Sequence, residues 1–443
     1  MEVLFYLGIL LLPFENFAFA PSSGWAALSP LVFAAYVVCN YRILGKSIMR
    51  YKKLLLIIAW VIFISLVNLL FIGQYQKEAF YRFLSALISL GLGIMNLLCF
   101  DIYFIVKKKS VQKVEKLLFL TYMISLMVGI VQYLTIRLNV DFIRVWDALI
   151  SKRSYLRYNR VQFTFTEPSF IGMHLFGVLL PMYIYHKNAR LKNLIILYGL
   201  CSIFFGSGVR ILVDTVVVAG IVLFYKLNFR KARNVTLIML SILAISLGGT
   251  YVYNNNYRVR QIVTKGVYAD GSFASRYFRI NASMKGYQNN FLQVLLGYGL
   301  GQEILPLKLG YDEAVSEYQS SYTKEVSELR DAEKTREESA SYCLFIRIIS
   351  ECGMAVFFIL CIWIGKRITR EKGKEGKALI LITAYLYIQF ESYAFYAVWL
   401  VIVLQQLRIR GKQENAGFRI SASEMVDGEE KQCQERVCRW CRS

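Results

Sequence analysis

Runs of nearly uninterrupted apolar residues decide what this chain can fold into. Residues 54–72 read LLLIIAWVIFISLVNLLFI, with Ser65 and Asn68 as the only strongly polar side chains. The hydrocarbon core of a bilayer is about 30 Å thick, and a helix crosses it in about 20 apolar residues. In lipid each backbone N–H and C=O must be satisfied within the segment, so a run of this kind reads as a helix. Comparable runs cover 3–20, 25–40, 79–106, 117–136, 167–186, 194–209, 211–225, 234–253 and 342–365. The stretch 378–407 is interrupted by Gln389, Glu391 and Ser392 and reads as two short helices, giving twelve spans; one long tilted helix there would give eleven. The expected fold is therefore an all-α, polytopic integral membrane protein. It has about 12 transmembrane helices in residues 1–407 and a polar tail at 408–443. Ala18-Phe19-Ala20 resembles a signal-peptide cleavage site, but Met1-Glu2-Val3 lacks the positive charge of such a leader, so the first run is expected to stay as an uncleaved helix.

Composition agrees. Hydrophobic residues make up 56% and charged residues 19%, against about 45–50% and about 25% in soluble domains. This excludes disorder and coiled coils. The net charge of +22 would suit nucleic-acid binding, but its distribution says otherwise. The segments 41–53, 107–116, 187–193, 226–233, 366–377 and 408–443 hold 31 of the 52 basic residues and nine acids. All six fall on one side of a twelve-span topology. Cytoplasmic loops collect Lys and Arg, so both termini are expected in the cytoplasm, with no nucleic-acid partner. The outer side then carries two long loops, 137–166 and 254–341. Within the second, Arg276 to Leu296 has apolar residues at helical spacing and reads as an amphipathic helix on the membrane or the bundle. The acidic stretch 311–341 reads as a solvated helix or cap. Of the nine cysteines, Cys433, Cys438 and Cys441 share the tail, one ligand short of a closed zinc site.

Charges within or beside spans are costly and so are functional candidates. They are Glu15, Arg82, Asp101, Glu167, His174, Arg210, Asp214, Arg347, Glu351 and Glu391. Glu15 is expected to reach water at the outer end of its span, Asp101 to snorkel or pair with a lysine, and His174 to be a satisfied core residue. His186 is expected at a helix end as a cap or interface residue. Arg160, Arg210, Arg276, Arg279 and Arg347 all map to the outer side. Guanidinium stays charged and forks onto phosphate oxygens, so such a set suits a pyrophosphate or an anionic headgroup. Glu167 precedes Pro168, a residue suited to the first helical turn, so its carboxylate sits where the positive helix end stabilises it. It is either a proton acceptor or a cap. Asp214 lies one turn after Arg210 and is either a reserve base or only its partner.

The segment from Arg160 through Phe163 and Glu167-Pro168-Ser169 to Gly172, opening a helix after an outer loop, resembles the Wzy-type polysaccharide polymerases of the O-antigen polymerase/ligase superfamily. Gly206-Ser207-Gly208-Val209-Arg210, Ser275-Arg276 with Leu296-Gly297-Tyr298-Gly299-Leu300-Gly301, and Glu351-Cys352-Gly353 resemble further motifs of that family, in its order. The motifs span residues 155–355, and the topology extends the likeness to the whole chain. Ser339-Ala340-Ser341-Tyr342 stands where many members, ligases especially, carry a histidine. The resemblance implies a glycosyltransferase that joins repeat units on undecaprenyl pyrophosphate, without metal or other cofactor. Membrane lipids surround it, and a flippase and a chain-length regulator are its implied partner proteins. It implies Arg160, Arg210 and Arg276 on pyrophosphate, Arg279 and Arg347 in support, and Glu167 or Asp214 as base. The alternatives are an O-antigen ligase and a lipid-linked oligosaccharide flippase or ion-coupled transporter.

Overall fold

A computed structural model describes residues 2–16, 27–72, 77–226, 249–250, 253–254, 257–266, 271–288, 291–321, 327–332, 335, 341–371 and 373–409. The expected cleavage-like site, most of the span at 234–253 and nearly all of the tail with its three cysteines lie outside the described residues. What is described is helical, without a strand. In chain order the helices are α1 (Glu2–Leu10), α2 (Ser29–Cys39), α3 (Tyr41–Arg50), α4 (Lys52–Ile72), α5 (Lys77–Asp101) and α6 (Val111–Leu138). Next come α7 (Asp141–Ile150), the composite α8 (Pro168–His186), α9 (Ala189–Phe204) and α10 (Val209–Lys226). Then follow α11 (Tyr257–Lys265), α12 (Gly271–Gln288), α13 (Phe291–Leu296), α14 (Ile304–Leu309), α15 (Tyr311–Ser321) and α16 (Ser327–Arg330). The last are α17 (Leu344–Arg370), α18 (Lys374–Ile388) and α19 (Tyr396–Ile409).

Against twelve expected spans, five described helices are long and apolar enough to cross a membrane, namely α4, α5 with its continuation to Val106, α6, α8 and α17. The count is six if α2 and α3, bent by 107° to one another, form one span. The others fall short for local reasons. α1 has 9 residues and α9 has 16. α10 carries Arg210, Asp214 and Lys226 within 18 residues. The break at 389–395 divides α18 from α19, as the polar residues there suggest. α4 presents Leu56, Trp60, Phe63 and Leu70 outward, a face compatible with lipid and unsuited to water.

Helix ends and kinks have chemical causes. α6 stops at Asn139, whose φ of 52° and ψ of 49° are left-handed, a conformation Asn tolerates at a helix end. In α8, Pro181 removes a backbone donor, and the turn before it, Leu175–Leu179, widens into a π-helix. α17 bends at Gly353, whose φ is 86°. The bend receives the loop after α13. Tyr298 N donates to Ser350 O at 2.7 Å and Gly299 N to Glu351 O at 3.0 Å. Gly301 N donates to Glu351 Oε1 at 3.0 Å. The closeness needs glycine: a Cβ on Gly353 would lie 2.4 Å from Leu295 O, and one on Gly297 2.5 Å from Glu351 O. Gly353→Ala is expected to cost more than about 1 kcal/mol, visible as a lower unfolding midpoint in detergent. An unchanged midpoint would show that this docking contributes nothing to the fold.

Two expectations about the outer loop are corrected. The amphipathic stretch is α12 followed by a separate short α13, rather than one helix from Arg276 to Leu296. Of the acidic stretch, α15 packs by one face, where Tyr311, Ala314 and Tyr318 bury themselves against Ala274, Phe278 and Ala282 of α12, while Asp312 and Glu313 stay exposed; 322–326, 333–334 and 336–340 lie outside the described residues. Its few apolar residues recur at helical spacing, which suffices for one buried stripe.

Candidate functional site

The segment 151–167 reaches its position through amide side chains. Gln132 Oε1 accepts from Gln162 N (3.2 Å) and Phe163 N (2.8 Å). Gln162 in turn donates to Arg153 O and accepts from Tyr155 N. Phe163 adopts a positive φ of 56°. Its ring fills the space left by Gly129, where a Cβ would lie 2.1 Å from it. The backbone is thereby pinned to α6, and the two charged residues flanking this anchor, Arg160 and Glu167, are held in place.

Arg160 donates from Nε and Nη2 to Ser207 O at 3.3 and 3.0 Å. The segment 151–167 thus meets the Gly206-Ser207-Gly208 turn that opens α10. One turn on, Arg210 Nε lies 3.6 Å from Asp214 Oδ2. Both are buried, with side-chain exposures of 9% and 1%. Asp214 Oδ1 accepts from Tyr385 OH at 2.7 Å. Its close approach to α8 depends on Gly172, where a Cβ would lie 2.1 Å from Asp214 Oδ2. Arg210 Nε and Nη2, Asp214 Oδ2 and Ser207 Oγ are buried without a hydrogen-bond partner. Buried donors are almost always satisfied, so these two nitrogens have hydrogen-bonding capacity that the described residues do not fill. The charges of Arg276 and Glu167 both act on Arg210, and that of Arg276 on Asp214 as well.

Glu167 has extended φ and ψ of −141° and 146° and stands at the N-cap position before Pro168, yet its side chain makes no capping hydrogen bond. It accepts instead from Arg153 Nη1 (2.8 Å) and Ser169 Oγ (2.9 Å). With 29% of the side chain exposed, the carboxylate remains open to a further partner.

The remaining three arginines lie where the segment 254–341 meets α17. Arg276 and Arg279 both lie on the Tyr342 ring, at 5.7 and 4.5 Å. Arg279 Nε donates to Glu328 Oε1 at 2.8 Å. Arg347 Nε donates to Glu351 Oε1 (2.9 Å), lies 3.8 Å from Glu303 Oε1, and its Nη1 donates to Glu391 O (3.3 Å). Thus Arg160 and Arg210 meet at the turn that opens α10, with Asp214 beside Arg210, and the charges of Arg276 and Glu167 act on Arg210, while Arg279 and Arg347 are engaged by carboxylates of 254–341 and α17.

Several expectations about single residues change. Glu15 does not reach water: it is buried, and its Oε1 lies 3.0 Å from His174 Nε2. Tyr122 OH is 2.7 Å from His174 Nδ1, so His174 is a satisfied core residue. Asp101 pairs with Arg50, not a lysine, and also accepts from Ser47 and Tyr51. His186 meets Glu115 at 2.9 Å at the end of α8. Sequence reasoning missed Tyr385, Arg153 and Tyr342. Tyr385 carries no signal in an apolar helix, whereas Arg153 was visible as one more arginine of the same outer loop. Among the described residues, no group of three His, Cys, Asp or Glu side chains is disposed to hold a metal ion. No protein-family model matches the chain, and no curated protein matches it.

Proposed function

We propose that the chain is a membrane-embedded glycosyltransferase that polymerises oligosaccharide repeat units carried on undecaprenyl pyrophosphate. It would work at the outer side of a bacterial cytoplasmic membrane, producing a surface polysaccharide. The observation that carries this reading is the buried Arg210 guanidinium, with Nε and Nη2 lacking acceptors, beside Arg160, Arg276 and the partly exposed Glu167. In the reaction the bond between sugar C1 and the pyrophosphate oxygen breaks, and its electron pair leaves with the lipid pyrophosphate. The acceptor hydroxyl oxygen bonds C1 and gives up its proton. Arginines stabilise the charge gained by the leaving group: Arg210 offers two nitrogens without hydrogen-bond acceptors among the described residues, Arg276 adds a positive charge that acts on Arg210, and Arg160 orders the turn. Glu167 is the group placed to take the proton, and Asp214, held by Tyr385, is its alternate.

The reading includes twelve spans with both termini cytoplasmic and 137–166 and 254–341 outside. Cysteines introduced at Asn159 and Glu313, both exposed, are expected to react in intact cells with a membrane-impermeant maleimide. Protection of either until the cells are lysed would overturn that topology.

The function is tested with purified protein in liposomes supplied with lipid-pyrophosphate-linked repeat units. A ladder of products longer than the substrate is expected. The buried Glu15–His174 pair inside the bundle favours a second reading, an ion-coupled lipid-oligosaccharide transporter. Movement of substrate across the bilayer with no ladder would choose that reading.

A further inference from the structure

α7 is amphipathic the wrong way round for water. Phe142, Val145, Trp146, Leu149 and Ile150 occupy one helical face and are between 52% and 70% exposed. Asp147, on the other face, is buried. Its Oδ1 accepts from Gln132 Nε2 of α6 at 3.3 Å, and its Oδ2 accepts from Ser154 Oγ. Burial pushes the Asp147 carboxyl up, and these two bonds pull it back. The polar face is thus spent on the protein, and five large apolar side chains face outward.

We infer that α7 lies flat in the outer interface of the bilayer and docks the segment that follows it onto phospholipid. Three observations choose lipid as the occupant. First, the apolar face continues the outward stripe of α6, where Val131, Leu134 and Leu138 are exposed. Second, the depth agrees. The 28 residues of α6 rise roughly 42 Å at about 1.5 Å each, close to the about 40–45 Å of a bilayer with its headgroups. The Asp147–Gln132 bond folds α7 back by six residues, or about 9 Å, to the boundary of headgroup and acyl chain. Ten residues are too few to cross, and a helix with one apolar face belongs in that plane. Third, Trp146 has the preference of indole for the interface, and Arg137 before α7 and Lys152 and Arg153 after it suit lipid phosphates. α7 leads directly into 151–167, so this docking sets the height of Arg160 and Glu167 at the level of lipid phosphate. The docking itself does not depend on the proposed reaction.

The test uses the full chain in phosphatidylethanolamine–phosphatidylglycerol vesicles. Phe142, Val145 and Leu149 are replaced one at a time by the photo-crosslinking residue p-benzoylphenylalanine, with the same replacement at Glu313 as background. These side chains point away from the protein, so folding is expected to be retained, as a normal unfolding midpoint would confirm. On irradiation, a mass gain of one phospholipid is expected at all three positions, several-fold above background. Adducts to a second copy of the chain would overturn the inference and make α7 a subunit contact. A folded protein without adduct above background at the three positions would equally overturn it. Neither result depends on whether the protein polymerises glycans.

Discussion

Exchanging Arg210 for methionine together with Asp214 for asparagine is expected to lower the polymerisation rate by about 10²–10³, the cost of losing one positioned group that stabilises developing charge. The paired exchange matters because Arg210→Met alone leaves the Asp214 carboxylate buried without its counter-ion, 3.6 Å from where the guanidinium stood. Breaking a buried pair in that way costs about 3–5 kcal/mol, and lost protein would imitate lost activity. The amide oxygen introduced by Asp214→Asn can still accept from Tyr385 OH, which now lies 2.7 Å from Oδ1, so the double variant is expected at near-normal membrane levels. Arg210→Lys keeps the charge but not the fork and is expected to be clearly impaired. Asp214→Asn alone retains Arg210 and reports on the carboxylate by itself. Polymer ladders and membrane levels are measured side by side. Wild-type ladders from the double variant at normal levels would make the pair structural and remove Arg210 from the site.

Glu167→Gln separates the two roles that its position before Pro168 leaves open. Gln keeps size and hydrogen bonding but cannot accept the proton of a sugar hydroxyl, so loss of a general base predicts a rate lower by about 10²–10⁴. Stability is expected to change little. The side chain makes no capping bond, and the bond to Arg153 joins side chains 57% and 29% exposed, an arrangement worth at most about 1 kcal/mol. Near-wild-type turnover by purified Glu167→Gln would remove the base assignment and move it to Asp214. The same assay with EDTA tests the proposed independence from metal: inactivation reversed by a divalent ion would show that a metal takes part.

Some glycines stood out in the sequence, and tertiary contacts give the reason. Gly353 and Gly297 are glycines because a side chain at either would strike the opposing backbone. Arg160 stands near Gly208, where even a Cβ would lie 2.9 Å from its Nη2. The apolar runs likewise announced helices. For the first run, expected over 3–20, hydropathy averaged over a window did not reveal that α1 ends at Leu10. The burial of Glu15 was not legible, since its partner His174 lies in a remote helix.

By itself the sequence determined the helical character of the described residues, the five or six longest apolar helices and which residues carry charge, because spacing along one helix is a property of the chain alone. Two pairs show what it left undecided. Arg210–Asp214 and Arg347–Glu351 have the same i,i+4 spacing and look equivalent on paper. The tertiary structure gives Glu351 the N–H of Gly301 and the hydroxyl of Tyr393, and gives Arg347 the carbonyl of Glu391. Besides Arg210, it gives Asp214 the hydroxyl of Tyr385, and among the described residues it leaves two Arg210 nitrogens without a hydrogen-bond acceptor. The difference comes from which distant backbones and side chains arrive once the helices pack, and so only packing separates a fully bonded ion pair from one with hydrogen-bonding capacity to spare.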